Sequence, residues 1–466
     1  MASIKFGTDG WRAVIAEQFT FENVRRIGQA LAEYFKTESN IAPRVAVGFD
    51  TRFLSEEFAQ TLSEVLASNA IEVLLSARYL PTPVLAFSIK KNNLSGGIMV
   101  TASHNPAHYN GIKFKARYGG PADSAMTRRI EELIDIREPA FDAAAIKRYL
   151  HRVDFFPDYR RHIQEYIDCK LFSRWRVKIV YNPMHGAGSG YLEEILDNYG
   201  FNFSTLNDKP DPLFGGKLPE PIMANLTDLR EQVIHKQAQI GLATDGDADR
   251  FGVLDESGNF VQVHDLIVLI SRHLLQTRGW SGDIVRTTSM ADTVDTLAAE
   301  FGRRVWEVPV GFKHITERML AQEILVGGEE SGGFGYKNHI PERDGLLSCL
   351  LILEVLAHEK KSLSQLVHEL RQQYGPFYYD RIDFRGEAGR LAQNLDRLRQ
   401  SPPTTIGNFK ISEVDLRDGI KFYFGKKNWM LIRVSQTEPL ARIYVAAESA
   451  GCVAELLQSG KELISK

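Results

Sequence analysis

The sequence predicts a multidomain α/β protein, with three successive α/β units followed by a smaller α+β domain. Three observations lead there. The chain has 466 residues, too many for one ordinary hydrophobic core. Short β-branched runs alternate with amphipathic helical stretches, the pattern of βαβ units and a mainly parallel sheet. That alternation restarts near Val177 and again near Asp265. After Tyr374 the pattern changes to extended segments flanking helices, an α+β arrangement. The resulting division is 1–152, 153–258, 259–372 and 373–466.

The elements follow in order. Val24, Ile27, Leu31 and Tyr34 fall on one helical face. Strands are predicted over 44–50 and 71–75, with a helix over 56–68 between them. The second unit opens with a strand over 177–181 and a helix that Gly200 can cap. The third has a helix over 266–275 and a strand over 283–286. The apolar run 346–357 is interrupted by Ser348 and Glu354 and reads as a buried helix. It is shorter than the roughly 20 residues a membrane helix needs. In the last unit, 378–384 and 422–434 read as extended, 391–399 and 453–464 as helical, and Pro402-Pro403 as a loop.

Composition narrows the function. Hydrophobic residues make up 44% and charged residues 25%, as in soluble globular proteins. A formal net charge of -3 carries no basic excess for nucleic acid, yet leaves room for local sites that hold a small anion. Cys169, Cys349 and Cys452 are far apart, so buried thiols in a reducing cytosol are expected in place of disulfides or a zinc site. The N-terminal residues lack the apolar stretch of a signal peptide. The expectation is a cytoplasmic protein without a membrane partner.

Four polar loops, one per unit, carry the chemistry. Thr101-Ala-Ser-His-Asn-Pro106 follows the apolar run 97–100. Ser103 offers a hydroxyl, His104 can handle a proton, and Lys113 lies ten residues on. The alternative for this loop is an Asn-Pro turn with a capping serine. Asp245-Gly-Asp-Ala-Asp-Arg250 sets three carboxylates at alternating positions between two apolar stretches. Such charges repel unless a cation neutralises them, and an all-oxygen set favours Mg²⁺ over Zn²⁺. The alternatives are a solvated acidic turn or a calcium loop, whose twelfth position is here Glu256. Gly327-Gly-Glu-Glu-Ser-Gly-Gly333 is either a flexible turn or a sugar grip, with Glu329 and Ser331 facing vicinal hydroxyls. Arg433-Val-Ser-Gln-Thr-Glu-Pro-Leu-Ala-Arg442 brackets Ser435 and Thr437 with two arginines, the donors a phosphate dianion needs. A hairpin with exposed arginines is the alternative. Together the loops read as nucleophile, hard metal, sugar grip and phosphate grip, which is phosphoryl transfer on a sugar.

With these loops in this order, and with Phe6-Gly-Thr-Asp-Gly-Trp-Arg12 at the start, the whole chain resembles the α-D-phosphohexomutase superfamily of phosphoglucomutases and phosphomannomutases. The resemblance implies four domains around a deep cleft, with mixed sheets in the first three, in a monomer, a dimer being the alternative. It implies Ser103 as phosphoserine, with Asp245, Asp247 and Asp249 holding Mg²⁺ alongside the serine phosphate. His104 and Lys113 match positions of proton transfer and phosphate contact, and Arg12 and Arg250 match arginines near the transferred phosphate. Lys313, Glu329 and Ser331 match substrate contacts. Arg433, Ser435, Thr437 and Arg442 match the grip on the other phosphate. Gln436 stands where the family usually has glycine in that grip, and Ala13 where many relatives have glycine.

The resemblance implies interconversion of glucose 1-phosphate and glucose 6-phosphate through glucose 1,6-bisphosphate, with sugar phosphates as the partners. The 328–333 string is similar to glucose-handling relatives. A glucose 1,6-bisphosphate synthase and a phosphomannomutase are the alternatives on the same scaffold.

Overall fold

The computed structural model describes residues 4–7, 9–38, 42–172, 177–375, 377–425, 427–435 and 440–465. Its first sheet runs in the order Trp11–Val14, Tyr109–Ala116, Gly96–Val100, Arg44–Phe49, Glu72–Ser76, Leu150–Val153. The second is Phe251–Leu254, Ile240–Thr244, Lys178–Asn182, Asn202–Thr205, and the third is Val305–Val308, Asp283–Thr287, Ile324–Gly328, Phe334–Tyr336. The fourth is antiparallel throughout: Tyr378–Arg385, Leu440–Ala447, Trp429–Val434, Ile420–Tyr423, Glu413–Asp415. The segment expected to be extended over 422–434 is two strands joined by a turn.

The first three sheets are mixed, where strand–helix alternation alone suggests mainly parallel ones. The inner strands pair in parallel through helical crossovers. Each sheet then ends in a hairpin that adds antiparallel strands. Alternation cannot show this reversal, because a hairpin strand needs no helix between it and its partner. All four chemical loops lie at the tips of such hairpins: after Gly96–Val100, Ile240–Thr244, Ile324–Gly328 and Trp429–Val434. A hairpin tip is fixed at both ends by ladder hydrogen bonds, so each loop is held on a rigid base.

The first three units share one apolar core. It runs from helix Thr82–Lys91 through Tyr159 and Ile179 to helix Gly345–Glu359. The latter is the leucine-rich helix expected from sequence. It is buried on every face, and Asp344 caps it by accepting the Leu347 N–H at 2.9 Å. The fourth unit has its own core around Leu391, Phe422, Ile443 and Leu456. Its apolar contact with the third is a small patch of Ala291, Trp429, Leu431 and Tyr444. Cys349 is buried as expected, whereas Cys452 is part-exposed, because it lies in the first turn of helix Ala450–Ser465; both are unbridged.

Candidate active site

The Ser103 loop joins strand Gly96–Val100 to its antiparallel neighbour Tyr109–Ala116. Ser103 is 1% exposed and has φ +52, a left-handed conformation rare outside glycine. Its N–H donates to Thr101 Oγ1 at 2.9 Å. Its carbonyl accepts from Arg52 Nη2 at 2.6 Å, and Arg52 also donates to the carbonyls of Asn105, Pro106 and Tyr109. Arg52 pairs with buried Asp50 at 3.2 Å. This strap holds the loop in its strained form.

The metal loop meets the serine directly. Ser103 Oγ donates to Asp245 Oδ2 at 3.0 Å and lies 3.3 Å from His104 Nδ1. Gly246 makes the approach possible, since a Cβ there would sit 2.4 Å from the Ser103 carbonyl oxygen. Asp245, Asp247 and Asp249 are fully buried, and each offers an oxygen within 4.8 Å of the others. Asp247 Oδ2 accepts from Thr82 Oγ1 at 2.5 Å and Lys113 Nζ at 2.7 Å. Asp249 Oδ2 accepts from Lys113 Nζ at 2.9 Å and pairs with Arg343 at 2.7 Å. Asp247 Oδ1 and Asp249 Oδ1 are buried without a donor. Burial and the two neighbouring carboxylates push Asp245 well above the usual carboxylate range. Buried, unsatisfied oxygens beside a hydroxyl, with no nitrogen or sulfur donor among them, fit Mg²⁺. Glu256 lies away from the triad and takes the Ser364 hydroxyl, so the calcium-loop arrangement is not formed.

Lys113 sits within the carboxylates. Burial lowers its pKa, but Asp247, Asp249 and Asp9 outweigh burial and hold the amine well above its ordinary value. The same field holds Asp247 below the ordinary range despite burial, through Lys113 first. His104 faces the opposite environment. Burial, then Arg250, Arg12, Arg442 and Arg381, push it well below the ordinary histidine value, so the imidazole is neutral.

A cavity of about 250 Å³ opens beside these groups. Arg12, His104, Arg250, Glu329, Ser331 and Arg442 line it, which brings residues of all four loops to one space. Arg12 also donates to Asn105 Oδ1 at 2.6 Å. Glu329 accepts the Gly311 N–H at 3.1 Å. Lys313 is elsewhere, with its amine on Ser124 Oγ at 3.0 Å. Arg433 is not part of the lining either; its Nε donates to Asp418 at 2.8 Å. The Ser435 N–H closes the fourth hairpin on the Leu440 carbonyl at 2.9 Å. Thr437 and Gln436 lie outside the described residues. A larger cavity of about 590 Å³, between Arg371, Phe377 and Leu457, lies away from this chemistry.

Several groups escaped sequence reasoning. Asp9 takes Lys113 at 3.1 Å, Lys115 at 3.2 Å and Arg343 at 2.5 Å. Arg343 ties Asp9 to Asp249 and reaches Glu329 at 3.4 Å. Arg381 and Arg385 alternate on strand Tyr378–Arg385 and face the cavity with Arg442. Only the alternation of arginines in Asp380-Arg-Ile-Asp-Phe-Arg385 hints at this in sequence.

Comparison with known proteins agrees with this geometry. Three domain models of phosphoglucomutase/phosphomannomutase match in order, α/β/α domain I over residues 3–140, domain II over 157–258 and domain III over 263–374. A phosphoglucomutase/phosphomannomutase of Thermococcus kodakarensis is 30% identical over 99% of this chain and 98% of its own length. A phosphoglucosamine/phosphogalactosamine mutase of Sulfurisphaera tokodaii is 28% identical over 98% of both chains. A crystal structure from Thermus thermophilus, named as a phosphomannomutase, superposes with a TM-score of 0.89 at 34% identity and full coverage of both chains. The open form of the Paramecium phosphoglucomutase pp63/parafusin superposes at 0.83 with 27% identity, covering 100% of this chain and 95% of its own. No helix of the described residues is long and apolar enough to cross a membrane. A buried serine set on a carboxylate triad, under a cleft that all four loops line, is thus the site of an isomerase, and the chain belongs to the phosphoglucomutase/phosphomannomutase family of α-D-phosphohexomutases.

Proposed function

We propose that this protein interconverts glucose 1-phosphate and glucose 6-phosphate through a phosphoserine at Ser103 and a glucose 1,6-bisphosphate intermediate. The observation that carries the reading is the 3.0 Å contact of Ser103 Oγ with Asp245, beside two carboxylate oxygens that lack any donor. Asp245, Asp247, Asp249 and the serine oxygen would hold Mg²⁺, which when bound neutralises charge on the serine phosphate. Arg12 and Arg250 line the same space and supply guanidinium donors to the phosphoryl oxygens in flight. As the bond from phosphorus to Ser103 Oγ breaks and that to the sugar oxygen forms, the sugar hydroxyl proton passes to His104, which is neutral and faces the cavity. Lys113 stays charged and keeps the carboxylates in place. Glu329 and Ser331 orient the sugar hydroxyls. Arg442, with Arg433, Ser435 and Thr437, grips the phosphate that is not transferred. The bisphosphate then turns over in the cleft and returns its other phosphoryl to Ser103.

Amino-sugar phosphates are a second reading. Glu329 and Glu330 both line the cavity and can hold an ammonium, and the Sulfurisphaera tokodaii relative carries the names of two such substrates.

The test is phosphorus NMR of the protein with Mg²⁺, a trace of glucose 1,6-bisphosphate, and in turn glucose, mannose and glucosamine 1-phosphate. Fastest conversion of glucose 1-phosphate at constant bisphosphate supports the proposal. Faster conversion of glucosamine 1-phosphate replaces it with the second reading. Accumulating bisphosphate identifies a synthase.

A further inference from the structure

The polar junction between the third and fourth units converges on one side chain. Asp418 stands in the turn between Glu413–Asp415 and Ile420–Tyr423. Its Oδ2 accepts the Val310 N–H at 2.7 Å and the Thr288 hydroxyl at 3.3 Å, both in the third unit. Its Oδ1 accepts from Arg433 Nε at 2.8 Å, near the end of the strand that leads into the fourth loop. Gly419 forms the turn with φ +75, and a Cβ there would meet the Ile432 carbonyl oxygen at 2.2 Å and Arg433 Cγ at 2.9 Å. The turn is therefore pressed onto the arginine it serves. On the other side, Val310 precedes Gly311, whose N–H donates to Glu329 Oε1 at 3.1 Å. One carboxylate thus joins Arg433 of the fourth loop to Glu329 of the third. Other contacts at this junction, Lys421 Nζ to the Thr288 carbonyl at 2.8 Å and Arg417 to Glu307 at 2.8 Å, reach neither loop.

We propose that Asp418 is the positioning residue that fixes the phosphate grip at a set distance from the sugar grip. It receives a guanidinium N–H on one oxygen and a main-chain N–H on the other, and only a carboxylate accepts both. An asparagine keeps the size and one acceptor but turns an N–H₂ toward a second donor. Arg433 would then lose its fixed direction, and the two ends of a sugar phosphate would no longer be held together. The inference rests on the reading of Arg433 as a phosphate-gripping residue.

The experiment is a double-mutant cycle of Asp418→Asn and Arg433→Ala, with KM and kcat for the hexose 1-phosphate that turns over fastest and a melting curve for each variant. D418N is expected to fold, to raise KM about tenfold and to leave kcat within about twofold. R433A is expected to raise KM further, and the double variant to be no worse than R433A alone. The proposal is overturned by a D418N of unchanged KM beside an impaired R433A, by full additivity, or by a D418N that does not fold, which makes the residue merely structural. An unchanged KM in R433A overturns the reading of Arg433 and this proposal with it.

Discussion

Ser103 and Asp245 are 142 residues apart in sequence, yet the serine hydroxyl donates to the aspartate at 3.0 Å with both side chains buried. That hydrogen bond joins the first unit's hairpin tip to the second's. Replacing Ser103 by Ala removes the only hydroxyl placed on Asp245 among the described residues. Turnover is expected to fall by about a thousandfold or more while the fold is kept. Steady-state rates and circular dichroism check this, and near-normal turnover in Ser103→Ala sinks the phosphoserine mechanism.

Mg²⁺ should stabilise the protein as well as activate it. Three buried carboxylates with two undonated oxygens repel one another, and a cation that binds only the folded form relieves this. Millimolar Mg²⁺ is expected to raise the melting temperature of the parent protein and not that of Asp247→Asn, which should also lose most turnover. An equal shift in both would place the ion elsewhere.

The Arg52 strap is expected to matter for both stability and rate. Arg52→Met leaves Asp50, 2% exposed, without its cation and releases four carbonyls of the serine loop. Loss of one partner of a buried pair costs roughly 3–5 kcal/mol, or a fall of about 5–10 °C in melting temperature. Turnover should drop more than about tenfold because the loop relaxes. A variant that melts lower but turns over normally would show that the strap serves folding alone.

Stability should fall on mild acidification through a junction of three units. His162 Nε2 lies 2.9 Å from His339 Nδ1, and His339 Nε2 lies 2.8 Å from Asp344, which also takes the Tyr159 hydroxyl at 2.7 Å. Burial, then His339, lower the His162 pKa to about 4, with Asp344 opposing and Lys90 and Lys91 adding to the effect. The unfolded chain takes up this proton near pH ~6.5. The stabilisation is therefore complete above that pH and is lost as pH falls from about 6.5 towards the folded value. His162→Gln should make the melting temperature less steep across that window. His264, lowered to about 3 by burial and Arg286, has the same sign and keeps some slope. An unchanged slope in His162→Gln would remove the junction from the explanation.

The site was legible where its chemistry is local in sequence. Asp245, Asp247 and Asp249 announce a cation because like charges two residues apart require one, and Ser103 stands out because a small-residue loop follows a buried strand. The helix Gly345–Glu359 was equally plain from its leucines. Pairs made only by the tertiary fold were hidden. Asp9 and Arg343 meet across 334 residues, and neither lies in a motif that names the other. Arg52 sits just past the end of an unremarkable strand, and its work on the Ser103 carbonyl depends on the turn that the strained serine makes. The mixed sheets were invisible to the strand–helix alternation because the reversing strands are hairpin partners. Lys313 reads as a substrate contact in sequence, but the fold places its amine on Ser124.

The most direct test is to incubate the protein with Mg²⁺ and ³²P-labelled glucose 1,6-bisphosphate, quench it, and map the labelled peptide. The expected result is a single label on Ser103, which glucose 6-phosphate then discharges. A label on any other residue, or none while sugar phosphates interconvert, would contradict the account.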